Sequence, residues 1–360
     1  MGGNLPVDGA LFLEFLPFIS GNMLTMLSVW WPIGQLIGSL LAWAYIPNYS
    51  CTGYEGCTKE KNMGWRYLVL TLGAITFVMF ILRFFFFHLY ESPKFLLSRG
   101  RQEEAVASVH GIAYKNGAKT WLTNEILNEI GGHPEAQEEK TQLTYTQIVG
   151  RFFSKFSMER IGPLFASKRM GINTALLWFC WATIGMGYPL FNAFLPQYLS
   201  QSGGETNSNY VTYRNYAITS IVGVPGSILA CYTVEIKYIG RKGTMAISTL
   251  ITGVLLFCFT ASTSSNIQLL CSCLEAFFQN IMYGVLYAYT PETFPAPNRG
   301  TGTGISSCLN RIAGLCAPLV AIYAGSANPN SPIYASGALI LASFVAMCFL
   351  PIETRGKQTL

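Results

Sequence analysis

W-R-Y-L-V-L-T-L-G-A-I-T-F-V-M-F-I-L-R-F-F-F-F, Trp65 to Phe87, runs for 23 residues with two charges, Arg66 and Arg83, one towards each end. At 1.5 Å per residue it makes a helix about 34 Å long, enough to cross the ~30 Å hydrocarbon core of a bilayer. The rest of the chain rules out a buried helix of a soluble enzyme. Of 360 residues, 51% are apolar and 14% aromatic, while 23 basic and 18 acidic residues make only 11% charged. A soluble domain carries roughly 25% charge. With a mean hydropathy of +0.35, there is too little polar side chain to cover a water-soluble fold of this size. The fold class is therefore an all-α membrane protein.

Working outward from that run, nine stretches are candidate spans: 2–17, 23–46, 65–87, 170–196, 213–234, 243–262, 266–290, 302–325 and 332–350. Basic residues divide unevenly over the loops between them. Seventeen of the 23 fall on one alternating set, eleven of these in 91–169, whereas the other set holds Lys59, Lys61, Arg66 and Arg214. The positive-inside rule makes the 88–169 loop and the C-terminal tail cytoplasmic. Basic residues confined in this way are an orientation signal, so nucleic acid is not a partner. The first stretch is short, carries Pro6, Asp8 and Glu14, and lacks a basic n-region and a cleavage site; it is not a signal peptide.

Chemistry has few handles. Eight of the ten cysteines lie inside apolar runs without metal-ligand spacing, and the three histidines lie outside or at the margins of those runs. There is no H-E-x-x-H, G-x-S-x-G or C-x-x-C. No enzyme activity, cofactor or metal is expected. Gly300, Gly302 and Gly304 imitate a nucleotide loop, but an apolar helix follows them and close helix packing explains them better.

The chain repeats itself. L-E-F-L-P (Leu13 to Pro17) closes the first span and P-E-T-F-P (Pro291 to Pro295) the seventh, and two spans later E-S-P-K (Glu91 to Lys94) is echoed by P-I-E-T-R-G-K (Pro351 to Lys357). Three further spans precede Glu292, against thirteen residues ahead of Glu14. The expected parent is a six-plus-six protein of which this chain holds helices four to twelve. Its expected parts are a partial N-terminal bundle (1–87), a cytoplasmic central loop with amphipathic helices (88–169), a C-terminal six-helix bundle (170–350) and a cytoplasmic tail (351–360).

On these motifs the chain resembles the major facilitator superfamily, in its sugar-porter and synaptic-vesicle-protein-like branch of fungal type. E-S-P-K-F-L-L-S-R-G-R-Q-E-E-A (Glu91 to Ala105) is similar to the family's segment after helix six. P-E-T-F-P-A-P-N-R-G-T-G-T-G (Pro291 to Gly304) resembles the loop between helices ten and eleven, Gly240 to Lys242 the loop between eight and nine, and Pro351 to Gly356 the family's ending. Gly21 stands where the repeat places Arg299, and Lys237 and Tyr238 stand where the family's loop has Asp-Arg. W-A-T-I-G-M-G-Y-P-L-F-N (Trp181 to Asn192) lacks the Q-Q-x-x-G-x-N of sugar carriers. The resemblance implies a cytoplasmic gate of charges at helix ends, here Glu14, Glu91, Glu235, Arg241, Glu292 and Arg299; the alternative is solvated loop charge.

Deep charges are the other candidates, since a charge at mid-membrane costs about 3 kcal/mol on insertion scales and should face a cavity or a partner. Asp8 is either a proton-coupling carboxylate or a structural group. Glu275 and Arg311 lie at comparable depths on successive antiparallel helices. Either they pair, or the guanidinium of Arg311 is left to receive an anionic substrate. Trp30, with Trp31 beside it, Gln35, Trp181, Tyr188, Asn192 and Asn310 either line a ligand cavity or pack against lipid and neighbouring helices. Cys51 and Cys57 flank a short outer loop, where a disulfide is expected. Arg151 to Ile161 reads as an interfacial amphipathic helix.

The expected function is secondary active transport of a small solute (sugar, organic acid or vitamin-like) by alternating access, proton-coupled, in a monomer in the plasma or vacuolar membrane. A non-transporting receptor or scaffold and an inactive fragment of a carrier are the alternatives.

Overall fold

In the computed structural model the described residues are 9, 11–13, 15, 22–51, 57–86, 90–98, 100–131, 161–201, 207–262, 264–295, 298–325, 328 and 330–356. Among them, eight helices are long and apolar enough to cross a membrane. These coincide with the second to ninth runs read from the sequence. Most of the first run lies outside the described residues, as do Asp8, Glu14 and residues 151–160.

The helices are α1 (Asn22–Met26), which a 3-10 turn leads into α2 (Trp30–Tyr49), then α3 (Gly64–Phe86), α4 (Pro93–Ser98), α5 (Gln102–Lys115), α6 (Asn124–Gly131), α7 (Lys168–Asn192), α8 (Leu195–Ser200), α9 (Asn209–Thr233), α10 (Gly240–Ala261), α11 (Ser265–Thr293), α12 (Arg299–Gly325) and α13 (Ser331–Cys348). Local sequence fixes several starts. Ser167 and Ser208 cap α7 and α9, each hydroxyl accepting a backbone N–H three residues on, from Met170 and Val211. Prolines sit inside α2, α7, α9, α11 and α12 at Pro47, Pro189, Pro225, Pro291 and Pro318. Each removes one i→i−4 hydrogen bond, a loss that membrane helices accommodate against their neighbours.

Two compact units form: residues 1–18 with 75–160, and 19–74 with 161–360. In the first, α5 places Glu103 and Glu104 in its first turn and Lys115 in its last, matching the helix dipole. Arg101 pairs with Glu104, the Lys115 ammonium lies 5.3 Å from the centre of the Tyr90 ring, and His110 meets the Leu122 carbonyl at 2.8 Å.

The second unit is a helical bundle. α7 packs against α12 and α13, α10 against α11 and α13, and α9 against α11 and α2. Its core holds Leu177, Ile184, Phe191, Met245, Met282 and Tyr289, all essentially inaccessible. The tightest approach relevant to the site is at Gly185 of α7, where a Cβ would stand 2.6 Å from the Asn310 carbonyl oxygen on α12. Only glycine lets the two helices cross there.

Candidate functional site

Four residues of α11, Glu275, Gln279, Tyr283 and Tyr287, recur at intervals of four and so form a stripe winding slowly round the helix. Glu275 and Gln279 are buried; the two tyrosines are half-buried. The stripe meets α7 first. Asn192 Nδ2 donates to Glu275 Oε1 (3.3 Å) and to Gln279 Oε1 (3.0 Å). Glu275 Oε2 is buried without a hydrogen-bond partner, and the residue as a whole is 1% exposed. An ionised carboxylate so placed costs several kcal/mol, whereas an uncharged group lacking one hydrogen bond costs about 1–3.

Further along, aromatic rings assemble. Trp31 of α2 sits edge-on to Tyr287 at 4.1 Å between centroids and to Tyr283 at 6.4 Å. Trp181 meets Tyr287 at 4.5 Å, and Tyr188 meets Tyr283 at 5.3 Å, both near perpendicular. Trp181 is fixed at both ends of its indole and backbone: Nε1 donates to Thr290 Oγ1 (2.9 Å), and its carbonyl accepts from Asn310 Nδ2 (3.2 Å). Asn310 also hydrogen-bonds Tyr283, and Gln35 hydrogen-bonds Tyr216. Arg311 is exposed on α12 within electrostatic reach of Tyr283 and Tyr287. No carboxylate pairs with it among the described residues.

The structure thus brings together Gln35, Trp181, Tyr188, Asn192, Glu275, Asn310 and Arg311 from four helices. It separates the two deep charges into different surroundings, with Glu275 on the Asn192 amide and Arg311 beside the tyrosines. Trp30 is 68% exposed; its neighbour Trp31, 100° round the helix, makes the ring contacts. Tyr283 and Tyr287 join them. Their four-residue spacing from Glu275 was the signal in the sequence, masked by the abundance of aromatics.

A second cluster forms at the end of this bundle where α9 finishes and α10 and α12 begin. Arg241 and Glu292 form a buried ion pair. Arg241 N and Lys242 N, in the first turn of α10, donate to the two carboxylate oxygens of Glu353, each at 3.2 Å. A carboxylate at a helix N-terminus meets both free N–H groups and the positive end of the dipole. Gly240 makes this possible, having φ +60° and so little room that a Cβ would stand 3.1 Å from the Glu353 carboxyl. Arg241 also donates to Thr354, and Glu235, exposed, lies within its electrostatic reach. Arg299 donates from Nε to the Pro291 carbonyl at 2.7 Å. Arg169 holds the Pro351 carbonyl, and the Tyr289 hydroxyl bridges Asn173 and Ile352. Glu353 lies in the Pro351 to Lys357 echo but is not among the gate residues expected from the sequence. Glu91 is exposed ahead of α4 in the other unit. Cys51 and Cys57 are disulfide-bonded.

Set beside known proteins, residues 215–360 match the family described as Major Facilitator Superfamily. The MFS siderochrome iron transporter 1 of Ceriporiopsis subvermispora is 46% identical over 363 residues, covering all of this chain and 69% of that protein. The major facilitator-type transporter hxnZ of Emericella nidulans is 39% identical over 372 residues, covering all of this chain and 66% of that one. Among solved structures, the proton:xylose symporter XylE bound to 6-bromo-6-deoxy-D-glucose aligns with a TM-score of 0.66 at 18% identity, over 99% of this chain and 69% of its own. That last likeness concerns the fold. The chain spans about two thirds of the length of these proteins.

Proposed function

The chain belongs to the major facilitator superfamily, is an integral multi-pass membrane protein, and on that premise we propose that it is a secondary transporter carrying a small organic anion by alternating access. The observation behind this reading is Arg311: a guanidinium deep in a helix of 27 residues, exposed, without a carboxylate partner among the described residues, and flanked by Tyr283 and Tyr287. A fixed fork of donors next to ring faces suits a planar carboxylate, with Trp31, Trp181 and Tyr188 supplying the apolar contact and Asn310 a further amide. A hexose, which offers no charge, leaves Arg311 unpaired and is the weaker reading.

The bundle end that carries Arg241 is the cytoplasmic one by the distribution of basic residues, and the Arg241–Glu292 pair with Glu353 is the gate that locks one conformation. Transport is coupled to a proton, and the protein works as a monomer in the plasma or vacuolar membrane.

Tryptophan fluorescence of the purified chain in detergent tests the solute class, because Trp31 and Trp181 line the site. Benzoate is expected to quench saturably, whereas benzamide, its uncharged isostere, and glucose leave the signal unchanged. Saturable quenching by glucose with none by benzoate would replace the anion reading with a sugar one.

A further inference from the structure

We propose that Glu275 is the proton-binding group of this transporter and that one proton crosses with each anion; the inference rests on the transport reading above. Glu275 is 1% exposed. One of its oxygens has a single amide hydrogen bond, from Asn192 at 3.3 Å, and the other has no partner. No basic side chain contacts it among the described residues. The titratable groups near it are uncharged phenols: Tyr188 on α7, with Tyr216 of α9 next to that ring. In such surroundings the carboxyl is stable only with a proton on it, because nothing compensates the charge. Ionisation requires the α7–α11 contact to open towards water, which is what a change of access on one side of the bundle does.

Asn192 links the proton to the solute. Both hydrogens of its amide are engaged, one on Glu275 and one on Gln279. An anion whose acceptor atom takes an Asn192 hydrogen removes the one hydrogen bond that, among the described residues, favours ionised Glu275, so anion and proton bind with positive coupling. By reciprocity the proton tightens the anion to the same degree.

Charge bookkeeping sets the stoichiometry. Once the site opens to water and Glu275 gives up its proton, the empty site holds Arg311 as a cation and Glu275 as an anion; the fully loaded site holds the solute anion on Arg311 and a neutral Glu275. Both are neutral overall. A site carrying the proton alone has one excess positive charge, and a site carrying the anion alone has one excess negative charge. Enclosing either in low dielectric is far costlier than enclosing a neutral site. Only the empty and the doubly loaded forms therefore change access readily, which makes the carrier a symporter.

The test compares wild type with Glu275→Gln and Arg311→Gln, in two measurements on the full chain. Infrared difference spectra of wild type against Glu275→Gln at neutral pH, in lipid, read the carboxyl state without any solute. The carbonyl stretch of a protonated carboxyl is expected in wild type and in Arg311→Gln and absent from Glu275→Gln. Its absence from wild type would mean an ionised Glu275 and overturn the proposal, whatever the solute. In weakly buffered detergent solution at an alkaline pH at which the wild-type carboxyl band has disappeared, with benzoate as the probe, a pH dye is expected to report about one proton taken up per anion bound by wild type and about none per anion bound by Glu275→Gln. Undiminished proton uptake in Glu275→Gln would place the proton on another carboxylate, such as Asp8, and overturn the assignment. A protonated band together with no benzoate binding by wild type would count against the anion reading and, by removing the partner ion, against the coupling ratio, while leaving Glu275 as a proton site.

Discussion

Arg311 and Glu275 divide the polar work of the site between them, one holding charge in the open and the other sheltered from it. Hydrogen bonds to a charged group contribute about 1.5–3 kcal/mol and each 1.4 kcal/mol is tenfold in affinity. Arg311→Gln is therefore expected to weaken benzoate binding by roughly 10- to 100-fold, measured by fluorescence titration. Arg311→Lys keeps the charge but not the planar fork, and should fall between wild type and the glutamine variant. Equal affinities in all three would remove Arg311 from the site. At this scale the sequence was partly legible. The depth of both charges followed from position in an apolar run, but whether they pair depends on rotation about two helix axes, which spacing alone does not give. The same ambiguity of phase separates Trp30 from Trp31. Asn192 was visible as a polar residue, while its two acceptors lie 83 and 87 residues away.

Elements were far more legible than residues, because hydropathy over twenty residues averages out what a single position cannot decide. The helix Lys168–Asn192, for example, starts two residues before the run 170–196 and ends four short of it, and Ser265–Thr293 overruns 266–290 by one residue at its start and three at its end. Within the 88–169 loop, where the sequence predicts amphipathic helices, α5 spans Gln102–Lys115. Crossing points are less visible, since one glycine among 35 looks like another. Gly185 differs from Gly304 in what a methyl group would meet: the Asn310 backbone at 2.6 Å in the first case, nothing within 4 Å in the second. Forced overpacking costs about 1–3 kcal/mol. Gly185→Ala is expected to lower the thermal midpoint in detergent and weaken benzoate binding by displacing Asn310, while Gly304→Ala leaves both near wild type. A neutral Gly185→Ala would show that α7 and α12 are not in close contact.

At the scale of the whole molecule, the Arg241 cluster draws together residues from three places in the chain: the start of α10, the end of α11, and the Glu353–Thr354 segment after α13. Removing one member of a buried ion pair costs about 3–5 kcal/mol, whereas replacing both by apolar groups is often near neutral. Glu292→Met alone should destabilise strongly, and adding Arg241→Met should restore much of the loss, as read by thermal unfolding of the single and double variants. Additive losses would mean the two side chains act independently and are no lock. The motifs at Gly240, Pro291 and Pro351 signalled that these ends matter. That Glu353 closes the α10 N-terminus did not follow from them, because it depends on a contact between positions 112 residues apart.

Whether this chain couples an anion to a proton is decided by uptake of labelled benzoate into proteoliposomes containing it, with and without an inwardly directed proton gradient. Saturable uptake is expected that the gradient drives above equilibrium, that collapses to equilibration when an uncoupler is added, and that needs roughly 10- to 100-fold more benzoate in Arg311→Gln. Uptake no greater than in protein-free liposomes, from a chain correctly folded in the same vesicles, would contradict it.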